Sequence, residues 1–264
     1  MTAARFWLIA ALLLLALPTD AGLSGRVAII IDDLGHQLRA GRRAIALPGD
    51  VAFAFLPGTP QAASLARRAF RDGKDVLLHL PLQAESEAGA PDPIGITLDM
   101  SRTEVGAVFA EALRSVPHVI GVNSHRGSLL TQHPGHMQWL MEEIHARDGL
   151  FFVDSYTTHK SVALQMAAES NVSAIKRDVF LDPDRSPETV AREFARMKAL
   201  ARKRGTVVAI GHPHEATLAL LERELPLLAE QGIELVRISQ LIPGRVVSGQ
   251  KNAGAVELLG LRPF

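Results

Sequence analysis

The stretch Arg26–His36, RVAIIIDDLGH, decides the fold. Val27 to Ile31 is a continuous, largely β-branched apolar run, the pattern of a strand buried on both faces, and such strands belong to parallel sheets covered by helices. The run ends in two adjacent carboxylates, Asp32 and Asp33, where the strand leaves the core. Like charges side by side repel. Their coexistence is explained if a cation neutralises one while the other keeps a raised pKa for proton transfer. The plainer alternative is a polar turn, with Asp33-Leu34-Gly35 closing the strand.

After this stretch, short apolar runs alternate with segments of helical period. Further strands are expected at Val51–Phe55, Asp75–Leu80, Val119–Val122, Leu150–Val153, Ala174–Arg177, Val207–Ile210 and Glu234–Arg237. Helices are expected at Gln61–Asp72, Arg102–Ser115, Pro134–Arg147, Ser161–Ser170, Pro187–Lys203 and His214–Gln231. Repeated strand-then-helix units imply parallel strands with right-handed crossovers, hence an α/β barrel or a doubly wound sheet. Gly73, Gly149, Gly205 and Gly232 each end a helical segment ahead of a strand, as C-terminal caps do. The longest irregular piece, residues 83–98, is rich in Pro and Gly and reads as a lid or rim loop.

The 264 residues carry 28 basic and 28 acidic side chains, so no charge excess points to nucleic acid or to disorder. The absence of cysteine excludes disulfides, thiolate metal sites and a thiol nucleophile, so any metal must be held by His, Asp or Glu. At the N-terminus Arg5 precedes an apolar run from Phe6 to Leu17, followed by Pro18 and Thr19-Asp20-Ala21. That order is a secretory signal with cleavage after Ala21; a membrane span needs about 20 apolar residues, and an uncleaved anchor is the alternative. The expected organisation is a signal over 1–21, one domain over 22–242 and a flexible tail over 243–264. The mature protein is then periplasmic or secreted, with no stable membrane span.

Polar residues gather at the carboxyl ends of the expected strands: Asp32 and Asp33, then His79, then Asn123, His125 and Arg126, then Asp154, then Arg177 and Asp178, then His212 and His214. In a parallel barrel those ends converge on one mouth. His133, His136 and His145 fall on or near a helix and read as surface residues. One carboxylate with two imidazoles suits Zn²⁺, and also Ni²⁺, Co²⁺ or Fe²⁺. The chemistry expected is hydrolysis of an amide or ester, with Asp33 on the metal, Asp32 as base and His212 as acid. Asn123, Arg126, Asp154, Arg177, Asp178 and His214 are then expected to bind substrate.

IIIDDLG (residues 29–35) resembles the first motif of NodB-type polysaccharide deacetylases, and VVAIGHP (207–213) resembles their last. From Val27 to Ile242 the chain resembles the divergent polysaccharide deacetylase family, exported YibQ-like bacterial proteins. The stretches LLHLPLQ (77–83), GVNSHRGSLLT (121–131), FFVDSYTT (151–158), SVALQMA (161–167), RDVFLD (177–182) and AIGHPH (209–214) carry this likeness in order. The resemblance implies an irregular (β/α) barrel of about seven or eight units and removal of acetyl groups from a carbohydrate. Asp33 and His212 carry over by position. The second metal histidine of NodB-type enzymes, four residues after the first, is replaced by Gln83, so the metal set Asp33, His79 and His125 takes its second imidazole from the neighbouring strand, about 5 Å away. The Arg-x-Pro-Tyr motif is absent, and Arg126 stands where the divergent family usually has Met.

Two other functions compete with a metal-dependent deacetylase of an envelope glycan. One is a glycan-binding protein that keeps the barrel mouth but not efficient hydrolysis. The other is a binuclear phosphoesterase, suggested by GHPH (residues 211–214) and disfavoured by too few bridging carboxylates.

Overall fold

A computed structural model describes residues 24–86, 92 and 94–244. The expected signal over 1–21, and the tail from 245, lie outside the described residues. Among the described residues no helix is long and apolar enough to cross a membrane.

Strand β1 (Gly25–Leu34) leads to helix α1 (Leu38–Ile45), β2 (Ala52–Phe55), α2 (Ala62–Arg71) and β3 (Val76–Leu82). Then come α3 (Arg102–Ser115), β4 (Gly121–Arg126), α4 (Pro134–His145), β5 (Phe151–Asp154), α5 (Ala163–Glu169), β6 (Ala174–Lys176) and β7 (Val179–Phe180). The chain continues through α6 (Pro187–Arg204), β8 (Thr206–Gly211), α7 (Glu215–Glu224), β9 (Ile233–Leu235) and α8 (Ile238–Leu241). The strand pairings are all parallel, in the order β6-β5-β4-β3-β2-β1-β8-β7, with β9 also against the start of β1. This is the curled parallel sheet of an irregular (β/α) barrel.

Its two edges meet through the chain itself. Arg177 N donates to Asp154 O at the end of β5, and the next residue, Asp178, donates from N to Val208 O on β8, both at 2.9 Å. Residues 174–180 thus close the ring without a continuous ladder. Local signals fix the helices: Ser101 and Glu104 form a capping box at the start of α3, and Ser186 caps α6 with Pro187 next to it.

Strand alternation sorts the core into two layers. Val27, Ile29 and Ile31 of β1 pack outward against the helices, whereas Ala28 and Ile30 point inward with Ala52, Ala54, Leu77, Phe151, Val153, Val208 and Ile210. Gly121 is required here, because a Cβ on it would lie 2.5 Å from the Phe151 ring. Val236, Ile238, Leu241 and Ile242 join the inner layer from β9 and α8 and plug the end where the strands begin. The other end stays open, and there the inward positions turn polar.

Candidate active site

The next inward positions above the apolar layer are Asp32 on β1, His79 on β3, Asn123 and His125 on β4, and His212 after β8. Simple alternation would turn Asp33 away from Asp32. A register shift between Ile31 and Leu34 prevents this: Asp33 has φ 57°, and the bulge turns its carboxylate to the mouth as well. Arg126 (φ 55°) and Tyr156 (φ 51°), at the ends of β4 and β5, share this left-handed backbone. Three strained strand ends therefore surround the opening, a pattern found at ligand sites.

Asp33 Oδ1, His79 Nε2 and His125 Nδ1 form a triangle with sides of 3.1, 2.9 and 3.1 Å. Two ligand atoms about 2.0–2.1 Å from one cation lie about 2.8–3.0 Å apart at a right angle and about 3.3–3.4 Å apart at the tetrahedral angle, so these edges fall within the range of shared ligation. The proton inventory agrees. Asn123 Nδ2 donates to Asp32 Oδ1 at 2.8 Å, which leaves Asn123 Oδ1 to accept from His79 Nδ1 at 3.0 Å. His79 in its neutral form then carries its proton on Nδ1, and Nε2 presents a lone pair to Asp33 and His125. Asp33 Oδ1 is out of solvent and makes no hydrogen bond of good geometry. A buried oxygen without a donor, beside Nε2 of neutral His79 and Nδ1 of His125, is what a divalent cation satisfies, and these residues fit one. Burial would raise the Asp33 carboxyl; without a cation, protonated His125 and His79 hold it far below the usual carboxylate range, and a bound cation would take the place of their protons. On the far side of His125, Nε2 lies 3.8 Å from Asp92, which also sits 3.7 Å from Arg126 Nη1. Arg126 is thus offset by an acid and faces the side of His125 opposite the triangle.

Asp32 is buried, with His79 Nε2 3.7 Å from Oδ2. Burial raises its pKa, and the positive charge of His79 and His212 only partly opposes this. A buried carboxylate costs several kcal/mol unless it is hydrogen-bonded, and the Asn123 amide supplies that bond. Across the mouth, His212 Nε2 is 3.7 Å from Asp33 Oδ2, while His212 Nδ1 and N pair with Asp182 Oδ1 and Oδ2 at 2.9 and 2.8 Å. Thr217 Oγ1 donates to Asp182 Oδ2 at 2.7 Å. Burial would lower the His212 pKa, but Asp182 first, then Asp32 and Asp33, raise it to about 9. The arrangement can therefore hold a cation, accept a proton at Asp32 and release one from His212.

The residues expected to bind substrate fare differently. Asn123 is fully buried and spends its amide between Asp32 and His79, so it positions rather than contacts substrate. Asp154 is a structural group: Oδ2 accepts from Ser161 Oγ and Oδ1 from Tyr156 N. Asp178 sits beside Val208, four positions short of His212, with its carboxylate taken by Val208 N and Arg204; it is not at the mouth. Arg177 is half-buried, donates to the Ser155 and Tyr156 carbonyls and lies against the Phe180 ring. Arg126 and His214 alone of the six remain at the open rim. Sequence reasoning missed Asp182 and Thr217, and also Ser155, whose buried Oγ lacks a partner at the end of β5.

Residues 29–242 match the family described as divergent polysaccharide deacetylase. An uncharacterized Escherichia coli protein, YibQ, is 35% identical over 233 residues, covering 88% of this chain and 71% of that one. An uncharacterized Haemophilus influenzae protein is 37% identical over 216 residues, covering 82% and 76%. Among solved structures, an uncharacterized Agrobacterium tumefaciens protein superposes with a TM-score of 0.79 at 22% identity, covering 85% of this chain and 92% of that one. A Bacillus anthracis protein described as a pseudoenzyme of carbohydrate esterase family 4 superposes at 0.52 and 13% identity, covering 82% and 65%. The matched span takes in every residue of the triangle and of the His212–Asp182 pair, and the chain belongs to the divergent polysaccharide deacetylase family.

Proposed function

We propose that this chain is an exported, metal-dependent hydrolase that removes acetyl groups from an envelope glycan in the periplasm or outside the cell. The observation that carries the reading is the triangle of Asp33 Oδ1, His79 Nε2 and His125 Nδ1, in which the only proton assigned to His79 points away from the centre. A divalent cation of the Zn²⁺ type, held by these three residues, supplies Lewis acidity toward the acetyl carbonyl and toward water.

The remaining steps belong to the side chains. Asp32, raised by burial, takes a proton from the attacking water as its oxygen bonds to the acetyl carbon. His212, held protonated by Asp182, faces the mouth through Nε2 and delivers its proton to the departing nitrogen or oxygen as the bond to the acetyl carbon breaks. Acetate and a free amine or hydroxyl leave. Gln83, in the place of the second NodB-type histidine, turns away and accepts from Leu98 N, so His125 takes that role.

The test pairs metal content with acetate release from acetylated chito-oligomers. Asp33→Asn should lose metal and activity together, whereas Asp32→Asn should keep metal and lose the 10²–10⁴-fold typical of a missing general base. Loss of metal from Asp32→Asn alone would reverse the two assignments. Stoichiometric metal with glycan binding but no acetate from any substrate would leave the glycan-binding reading in its place.

A further inference from the structure

A second feature adjoins the triangle. A cavity of about 840 Å³ opens between the β1–α1 turn and the start of α7, and Asp33, His214, His36, Arg39 and Arg43 are among the residues that line it. This is the size of a saccharide subsite. Part-exposed Pro213 gives it an apolar surface, backed by the buried side chains of Leu34 and Leu218. Its charges are not balanced. Arg43 is held by Glu215 and Glu222 at 2.5 and 2.7 Å, so the lining carboxylate Glu215 is already used, and Asp33 belongs to the triangle. Arg39 and His36 are exposed and make no hydrogen bond or ion pair among the described residues. A guanidinium without a partner on the wall of a sugar-sized cavity suits an anionic group, and its planar fork matches the two oxygens of a carboxylate.

We infer that this cavity is a subsite for a carboxylate-bearing sugar, with Arg39 engaging the carboxylate while the neighbouring acetylated sugar lies over Asp33, His79 and His125. The inference rests on the deacetylase reading for the second half of that statement; the binding of an acidic saccharide does not. Uronates and lactyl-ether sugars both supply the carboxylate, and esterification removes the charge from either with little change of shape.

The experiment uses the full exported chain loaded with Zn²⁺. Two acidic disaccharides, one ending in N-acetylmuramic acid and one in a uronate, are each compared with their methyl esters by calorimetry and by acetate release. The acid should bind about 3–10-fold more tightly than its ester, with the preference shrinking at high salt. Arg39→Gln should abolish the preference, and Arg71→Gln, exposed on α2 outside the cavity, should keep it. Preference for one acid alone identifies the carboxylate source. Equal affinity for acid and ester, or a preference that survives Arg39→Gln, would overturn the subsite while leaving acetate release intact. An Arg39-dependent preference in binding without acetate release would uphold the subsite and sink the deacetylase reading.

Discussion

Two clusters of one carboxylate and two imidazoles meet at the barrel mouth: Asp33 with His79 and His125, and Asp182 with His212 and His214. Composition does not distinguish them; their protons do. Asp182 accepts from His212 N, His212 Nδ1 and Thr217 Oγ1, so both its oxygens are satisfied by donors. Asp33 Oδ1 has no such donor and faces two imidazole nitrogens. A carboxylate saturated with donors orients and charges an imidazole, whereas one without a donor beside two imidazole nitrogens is suited to a cation, as proposed for Asp33. The largest expected effect follows directly. His125→Ala should cost more metal affinity than the 10–100-fold typical of an outer partner, while His214→Ala should leave metal content near one per chain. Titration of both variants with Zn²⁺ checks this, and equal loss from the two would erase the distinction.

The sequence made the whole first cluster visible and both imidazoles of the second, but hid the second cluster's carboxylate, for physical reasons. Apolar runs expose β1, β3, the start of β4 and β8, and alternation along them puts Asp32, His79 and His125 on the inward face. The bulge at Asp33 has no pattern of its own; only the oddity of two adjacent carboxylates pointed to it. Asp182 follows β7, a strand of two residues, Val179–Phe180, too short for any period to register. That same shortness misplaced Asp178, because a chain crossing from one sheet edge to the other shifts level between consecutive residues. Alternation also says which side chains point inward but not how deep they lie, so fully buried Asn123 read as a substrate contact. Helix α1 went unseen because it spans only eight residues and buries just Gly41, Ala44 and Ile45, and α8 because it has four residues.

A smaller effect separates the clusters by pH. The raised His212 pKa means that its proton is bound more tightly in the folded protein than in the unfolded one. In chelator-treated protein this stabilisation is fully present below about pH 6.5, the ordinary histidine value, and is lost as pH rises through about 9. Thermal unfolding across pH 6–10 should show that decline, and Asp182→Asn should move it toward lower pH. On the proposed function, a cation at Asp33 would offset the charge that helps to raise His212, so the alkaline limb of kcat should lie above 6.5 and no higher than about 9. An alkaline limb that Asp182→Asn does not move would mean His212 is not the acid.

The smallest expected effect concerns Thr217, which lies fully buried on α7 and donates to Asp182 Oδ2. Thr217→Val keeps the shape and removes the donor, leaving that oxygen with His212 N alone. A hydrogen bond to a buried charged group contributes about 1.5–3 kcal/mol, so unfolding should become easier by roughly that amount. The lost bond is one of those lowering the Asp182 pKa, after His212's own contacts, so its removal raises Asp182 slightly and weakens its hold on the imidazolium. The alkaline limb should then shift a little toward lower pH, in the same direction as Asp182→Asn and by less. Metal content should not change, because no atom of the triangle contacts Thr217. A Thr217→Val protein that loses its metal would show that the two clusters form one coupled site, and the contrast drawn from their protons would fail.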